Sequence, residues 1–223
     1  MYASLKKTVA ITLASLVFTT AVNAEPERDR PQHQYKITIT NITKHQSFTP
    51  FIVASHKPAV HFFSLGEPAS EAIANIAEGG DTSLLAEQLS NSRGVSDIAK
   101  SEGLLAAGSS VEITIAAAAG VRTLSLAAML LPTNDTFVAL DAVALPTQRA
   151  QTYLAYAYDA GSETNSETCA TIPGPLCGGI PFSPEDSGEG FVHVAAGISG
   201  SGDIDAAQYD WRGPVAKVVI ERL

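Results

Sequence analysis

Short apolar segments with a period of two recur along this chain, and a layered β-sheet is the simplest architecture that buries them all. In Tyr35-Lys36-Ile37-Thr38-Ile39-Thr40, and again in Val111-Glu112-Ile113-Thr114-Ile115, apolar and polar residues alternate. Successive side chains of a strand point to opposite faces, so this alternation predicts strands with one buried face. Residues 123–131 differ. They are nearly continuous apolar sequence ending at Pro132, as expected of a central strand buried on both faces, although their length and alanines also suit a helix. Residues 137–140, 152–157, 191–196 and 215–220 are further strand candidates, and residues 46–53 read as a loop followed by a short extended piece. Only residues 70–89 carry a helical period. Ile73, Ile76 and Ala77 share a face, Gly79-Gly80 interrupts it, and Asp81 or Thr82 is placed to cap a second helix toward Leu89. The pattern therefore predicts a mostly β fold, an antiparallel β-sandwich with one or two short helices.

The ends of the chain read as separate from that fold. Lys6 and Lys7 form a short positive region, residues 9–22 are apolar with a few threonines, and Val22-Asn23-Ala24 offers small residues where a signal peptidase reads. Residues 1–24 are thus expected to be a secretory signal peptide; a membrane anchor would need an apolar stretch of about 20 residues. Residues 25–34, charged and proline-containing, are expected to be a flexible lead-in, and residues 35–223 the domain itself. This predicts a secreted or periplasmic protein with no membrane insertion after signal removal. Export would place Cys169 and Cys177 in an oxidising compartment, where a disulfide is the favoured reading. The other reading, a cysteine metal site, lacks the neighbouring histidines that would complete its shell.

The formal net charge of −9 argues against a nucleic-acid partner, whose phosphates demand a basic surface, and against adsorption to anionic lipid. It is compatible with divalent cations. Asp135 lies in the turn Pro132-Thr133-Asn134-Asp135 that feeds one predicted strand, Asp159 ends another, and Glu163 and Glu167 follow at intervals of four. Gly161 allows the chain to fold back between Asp159 and Glu163. A hard cation such as calcium takes six to eight oxygens at about 2.3–2.6 Å, which loops at one end of a sandwich can deliver as carboxylates and carbonyls. Asp and Gly are also ordinary turn residues, and the dedicated EF-hand loop is absent, so spacing leaves both readings open.

Three segments carry a family resemblance. Pro132-Thr133-Asn134-Asp135-Thr136-Phe137-Val138-Ala139-Leu140-Asp141 is similar to the spondin motif in which a Pro and an Asp precede a strand, usually P-S-P-D-W-F-V-G. Tyr158-Asp159-Ala160-Gly161-Ser162-Glu163 resembles that family's Y/W-D-A-G-T-D segment, and Pro214-Val215-Ala216-Lys217-Val218 its closing P-I-A-R-V strand. Their order agrees, and residues 36–43 with Phe48-Thr49-Pro50 fit the family's start. The chain thus resembles the spondin domain, the N-terminal-type domain of the F-spondin and mindin family. The resemblance implies a β-sandwich carrying calcium on Asp135, Asp159 and Glu163. Two residues depart from the pattern: Thr136 stands where the family usually has Trp, and Glu163 where it has Asp. Asp141, Glu167 and Asp203 are further acids whose contact with an ion the sequence leaves open. The animal members carry thrombospondin-type repeats that this chain does not show, so their roles in matrix adhesion transfer only loosely.

Other constellations read as structural. His193, near Gly197, Asp203 and Asp205, reads either as part of a binding site or as a hydrogen-bonded histidine on a strand, and the second is expected; His56 and His61, five apart, read either as zinc ligands or as surface residues, and the second is expected. Gly197-Ile198-Ser199-Gly200-Ser201 fails the nucleophile-elbow pattern, and Trp211 reads as a packing anchor before the last strand. The expected function is that of an exported calcium-binding β-sandwich, a binding or adhesion module for a surface protein or glycan, in which the ion's first role is structural and no catalysis is expected. The alternative is a hydrolase using the same acidic cluster, with Asp135 and Asp159 as a carboxylate pair or holding a catalytic metal.

Overall fold

The computed structural model describes residues 32–183 and 188–223, together with Met1; the predicted signal peptide lies outside the described residues. Ten strands form one antiparallel sheet, in the order β4-β3-β6-β7-β8-β10-β1-β5, with β2 paired to β6 and β9 to β8. Their bounds are β1 Gln32–Asn41, β2 Ser47–Phe48, β3 Ile52–His56, β4 Val95–Lys100, β5 Ser110–Ala118, β6 Thr123–Leu131, β7 Thr136–Ala144, β8 Ala150–Asp159, β9 His193–Val194 and β10 Ala216–Arg222. Strand β1 starts at Gln32, so three residues of the predicted lead-in pair with β5.

The mostly β prediction holds, and the two layers expected of a sandwich are the two halves of this single sheet, rolled until its ends nearly meet. At the seam, the outer edge of β5 would expose unpaired backbone groups. Side chains from the facing strands satisfy them instead. Ala116 N donates to Asp97 Oδ2 at 2.8 Å, Ala118 N to Ser96 Oγ at 2.8 Å, and Ser55 Oγ donates to Ala116 O at 2.6 Å.

Alternation places Tyr35, Ile37 and Ile39 of β1, Ile113, Ile115 and Ala117 of β5, and Val218 and Ile220 of β10 in one interior core. Strand β6 contributes Leu124, Leu126, Ala128 and Leu130 to that core, while Ala127 faces the other way. That outer side is covered by α1 (Glu71–Gly79) and α2 (Ser83–Ser90), whose Ala72, Ile73, Ile76, Ala77, Leu85 and Leu89 pack on Ile52, Ala54, Phe137 and Ala139. Burial on both faces is why β6 is continuously apolar, and its bounds coincide with the predicted central strand. Ser70 caps α1 by accepting from Ile73 N, and Gly80 ends it at φ 68°. Thr82 is the N-cap residue of α2 but makes no side-chain cap; Asp81 Oδ1 instead accepts from Ser83 N at 2.8 Å. Two histidine expectations divide. His61 is exposed, but His56 is fully buried, its Nε2 2.8 Å from Ser125 Oγ, because β3 runs between two strands beneath the helices.

After β8 the chain runs through irregular structure, crosses β9 and the single-turn helix α3 (Ala206–Tyr209), and returns in β10. This long connection has a core of its own, in which Ile172, Ile198 and Ile204 pack with Cys169, Cys177 and Trp211. Cys169 and Cys177 form a disulfide.

Candidate functional site

The antiparallel pairing of β7 and β8 sets the site. Thr136 at the start of β7 lies opposite Asp159 at the end of β8, so Asp135 and Asp159 meet at one end of the barrel. Ala160 N donates to Asp135 O at 3.0 Å, which fixes the departing chain against the incoming turn. The chain then folds back through Gly161, whose φ is +64° and whose added Cβ would stand 2.4 Å from Phe191 O, so only glycine fits. The fold-back brings the amides of Ser162 and Glu163 onto Asp135 Oδ2, at 2.8 and 3.0 Å.

All three acids implied by the family resemblance are buried: Asp135 is 0%, Asp159 3% and Glu163 1% exposed. Asp159 Oδ1 accepts from Gly161 N and Oδ2 from Asn165 Nδ2, each at 2.8 Å; Glu163 Oε1 accepts from Ser183 N at 2.9 Å. Asp135 Oδ1 is buried without any hydrogen-bond partner. Burial, reinforced by the charges of Asp159 and Glu163, pushes the Asp135 carboxyl up to about 7, against the lowering pull of the Glu163 and Ser162 amides. Burial also raises Asp159, although Asn165, Gly161 and His193 oppose it. Two carboxylates held this way repel each other in a poorly solvated pocket, and a cation between them would relieve both penalties.

The other acids do different work. Asp141 lies within β7, about 20 Å along the strand from Asp135 by the usual rise, where it accepts from Phe62 N at 2.7 Å and contacts His61 Nδ1 at 2.6 Å. Glu167 is a clamp: Oε1 accepts from Ser199 N, and Oε2 from Gly200 N and Ser201 N, at 2.6, 2.7 and 3.0 Å. Its burial would raise its pKa, but these amide bonds hold it below the ordinary value. Asp203 Oδ2 accepts from Cys169 N at 2.9 Å, and Asp205 caps α3.

Two residues not assigned to the cluster by sequence join its rim. Strand β9 pairs with β8 so that His193 stands directly opposite Asp159. Asp159, Glu189 and His193 each offer a ligand atom within 4.8 Å of the others. His193 was expected near Asp203 and Asp205. It faces Asp159 and Glu189 instead, because Val192 N bonds to Glu67 O and Gly190 N to Gly161 O, and these bonds lay the strand across the mouth of the loop. Its place in the strand candidate 191–196 marked a strand histidine but not the acids it faces.

The Spondin_N family model matches residues 31–172, well over half of the chain and all three buried acids. The chain belongs to the Spondin_N family. No curated protein matches it. The Spondin_N match ends before Cys177, so Glu189, His193 and β10 lie beyond the matched segment.

Proposed function

We propose that this Spondin_N domain binds a calcium ion on Asp135, Asp159 and Glu163, and that it serves as an extracellular-type binding module for a surface protein or glycan. The observation that carries the calcium reading is Asp135 Oδ1, a buried carboxylate oxygen with no hydrogen bond of its own, on an acid whose other oxygen holds the Glu163 amide and which the pairing of β7 with β8 sets beside Asp159. A donor set of carboxylate oxygens suits a hard divalent cation. The family membership and the disulfide support an extracellular setting. Among the described residues no helix is long and apolar enough to cross a membrane. Binding is preferred to catalysis because both oxygens of Asp159 and Oδ2 of Asp135 already hold the loop closed, which leaves Asp135 Oδ1 as the one oxygen of the pair without a bond.

Thermal unfolding of the purified protein tests the calcium reading, with millimolar calcium, then excess chelator, and magnesium as the control cation. At 100 times its dissociation constant the ion should add about 2.7 kcal/mol, a shift of several degrees for a domain of this size. Asp159→Ala should abolish the shift and Asp205→Ala should keep it. Equal loss in both variants, or no calcium-specific shift together with no bound metal on elemental analysis, would remove the ion from this reading.

A further inference from the structure

His193 lies outside the family match and outside the set of acids assigned to calcium, yet its ring is placed as a metal-bound histidine is placed. Nδ1 is 3.1 Å from the carbonyl oxygen of Val194. A carbonyl only accepts, so this contact puts the proton of the neutral ring on Nδ1 and leaves a lone pair on Nε2. Tying one ring nitrogen to a backbone carbonyl is the usual way of orienting a ligating histidine. Phe191 packs against the ring, with centroids 5.5 Å apart, and limits its rotation. Nε2 itself is buried and makes no hydrogen bond. It points between two carboxylates, 3.5 Å from Asp159 Oδ1 and 3.6 Å from Glu189 Oε2.

Those separations are within ion-pair reach but long for hydrogen bonds, which cluster at about 2.7–3.2 Å. They suit another geometry. Donors about 2.0–2.2 Å from a tetrahedral zinc lie about 3.4 Å from one another. The third separation, between the carboxylate oxygens of Asp159 and Glu189, is within 4.8 Å, so a small movement of the Glu189 side chain, which is 44% exposed, completes the triangle. One nitrogen and two oxygens are a borderline donor set that a transition-metal dication accepts and that calcium, which prefers oxygen alone, has no reason to select.

We infer that Asp159, Glu189 and His193 form a second cation site, selective for a transition-metal dication such as zinc, on the solvent side of the buried acids. The exposed edge at Glu189 leaves the fourth position to water. Asp159 is shared: it belongs to the calcium reading as well, and a carboxylate has two oxygens with which to serve two cations. The site rests on its own geometry and stands without the calcium reading.

The test is zinc titration of the full chain held in saturating calcium, followed by calorimetry and by competition with a chromophoric chelator. Cobalt serves as a spectroscopic substitute whose visible absorption reports a nitrogen ligand. The wild type should take up one equivalent. His193→Ala should weaken that binding at least about tenfold and change the cobalt spectrum, while its calcium-dependent thermal shift stays intact. Glu189→Gln, at a partly exposed position that tolerates change, should weaken zinc binding without altering unfolding in chelator. No zinc uptake by the wild type overturns the site. So does zinc binding that survives His193→Ala unchanged, since it would belong to exposed histidines such as His61. Zinc binding without any calcium response would sink the calcium reading and leave this site standing; the reverse result would do the opposite.

Discussion

Replacing Asp135 by Asn should stabilise the calcium-free protein and abolish its response to calcium. The substitution keeps the shape of the side chain. Its carbonyl oxygen can take the place of Oδ2 under the amides of Ser162 and Glu163, and its amide nitrogen takes the place of the unpartnered Oδ1. What it removes is a buried charge. In the native chain without metal the Asp135 carboxyl titrates at about 7, against 3.8 in its ordinary environment. A native pKa above the unfolded one means that the folded state binds the proton more tightly. The contribution to stability is therefore largest at low pH and is lost as the pH rises through that window. Across the window the loss is about 4 kcal/mol at most, taking about 1.36 kcal/mol per pH unit. Relaxation of the loop will make it smaller. In excess chelator at pH 8, Asp135→Asn should therefore unfold several degrees above the wild type, at roughly 2–4 °C per kcal/mol for a domain of this size. Between pH 4 and 7 its stability should vary less with pH than that of the wild type. In calcium the wild type should gain and the variant should not. Scanning calorimetry of both proteins, with and without the ion, reads all of this directly. A variant less stable than the wild type in chelator at pH 8 would refute the claim that Asp135 carries an unrelieved charge. A variant that keeps the calcium shift would refute its place in the ion's shell.

Glu167→Ala should lower stability by about 2–4 kcal/mol, because it strands the amides of Ser199, Gly200 and Ser201 without their acceptor; denaturant unfolding measures this, and the calcium-induced shift should remain. The pH dependence of Glu167 has the opposite sign to that of Asp135: its native pKa lies below the ordinary 4.5, so its contribution is full above that pH and is lost as the pH falls through the depressed value. Gly161→Ala should cost about 1–3 kcal/mol for the left-handed backbone alone, and more for the 2.4 Å approach to Phe191 O; titration calorimetry should show weaker calcium binding in the same variant.

The strands that alternate over a packed core were legible, because a period of two is a direct consequence of one buried face. β1, β5 and β10 fall where residues 35–40, 111–115 and 215–220 predict them, and β6 matches residue for residue. Strand β4 was not legible. Val-Ser-Asp-Ile-Ala-Lys has no apolar alternation, since none of its residues is fully buried and its polar Ser96 and Asp97 are spent on closing the seam. Closure of the sheet was hidden for the same reason: it depends on side chain to backbone bonds between segments distant in sequence. His56 looked like a surface residue because the partner that satisfies it, Ser125, lies 69 residues away. In the site, spacing alone left Asp135, Asp159 and Glu163 as ordinary turn residues, and the family motifs singled them out. Glu189 and His193 escaped both signals, since they reach Asp159 across a long aperiodic connection and lie beyond the family match.

That division has a physical consequence for how a cation would act. Asp135 immediately precedes β7 and Asp159 ends β8, whereas Glu163 belongs to the connection that leaves the barrel. The connection is already bound to itself by the Cys169–Cys177 disulfide, by the amides around Glu167 and by Ile172, Ile198 and Ile204. Its hold on the barrel end includes the bonds of Ser162 and Glu163 to Asp135, of Asn165 to Asp159, of Glu167 to Asn134, and the pairing of β9 with β8. A calcium ion on the three buried acids would join these two bodies at the point where like charges now push them apart. Its first effect would be to fix the connection against the barrel, and any recognition surface on that connection would depend on calcium without touching the ion.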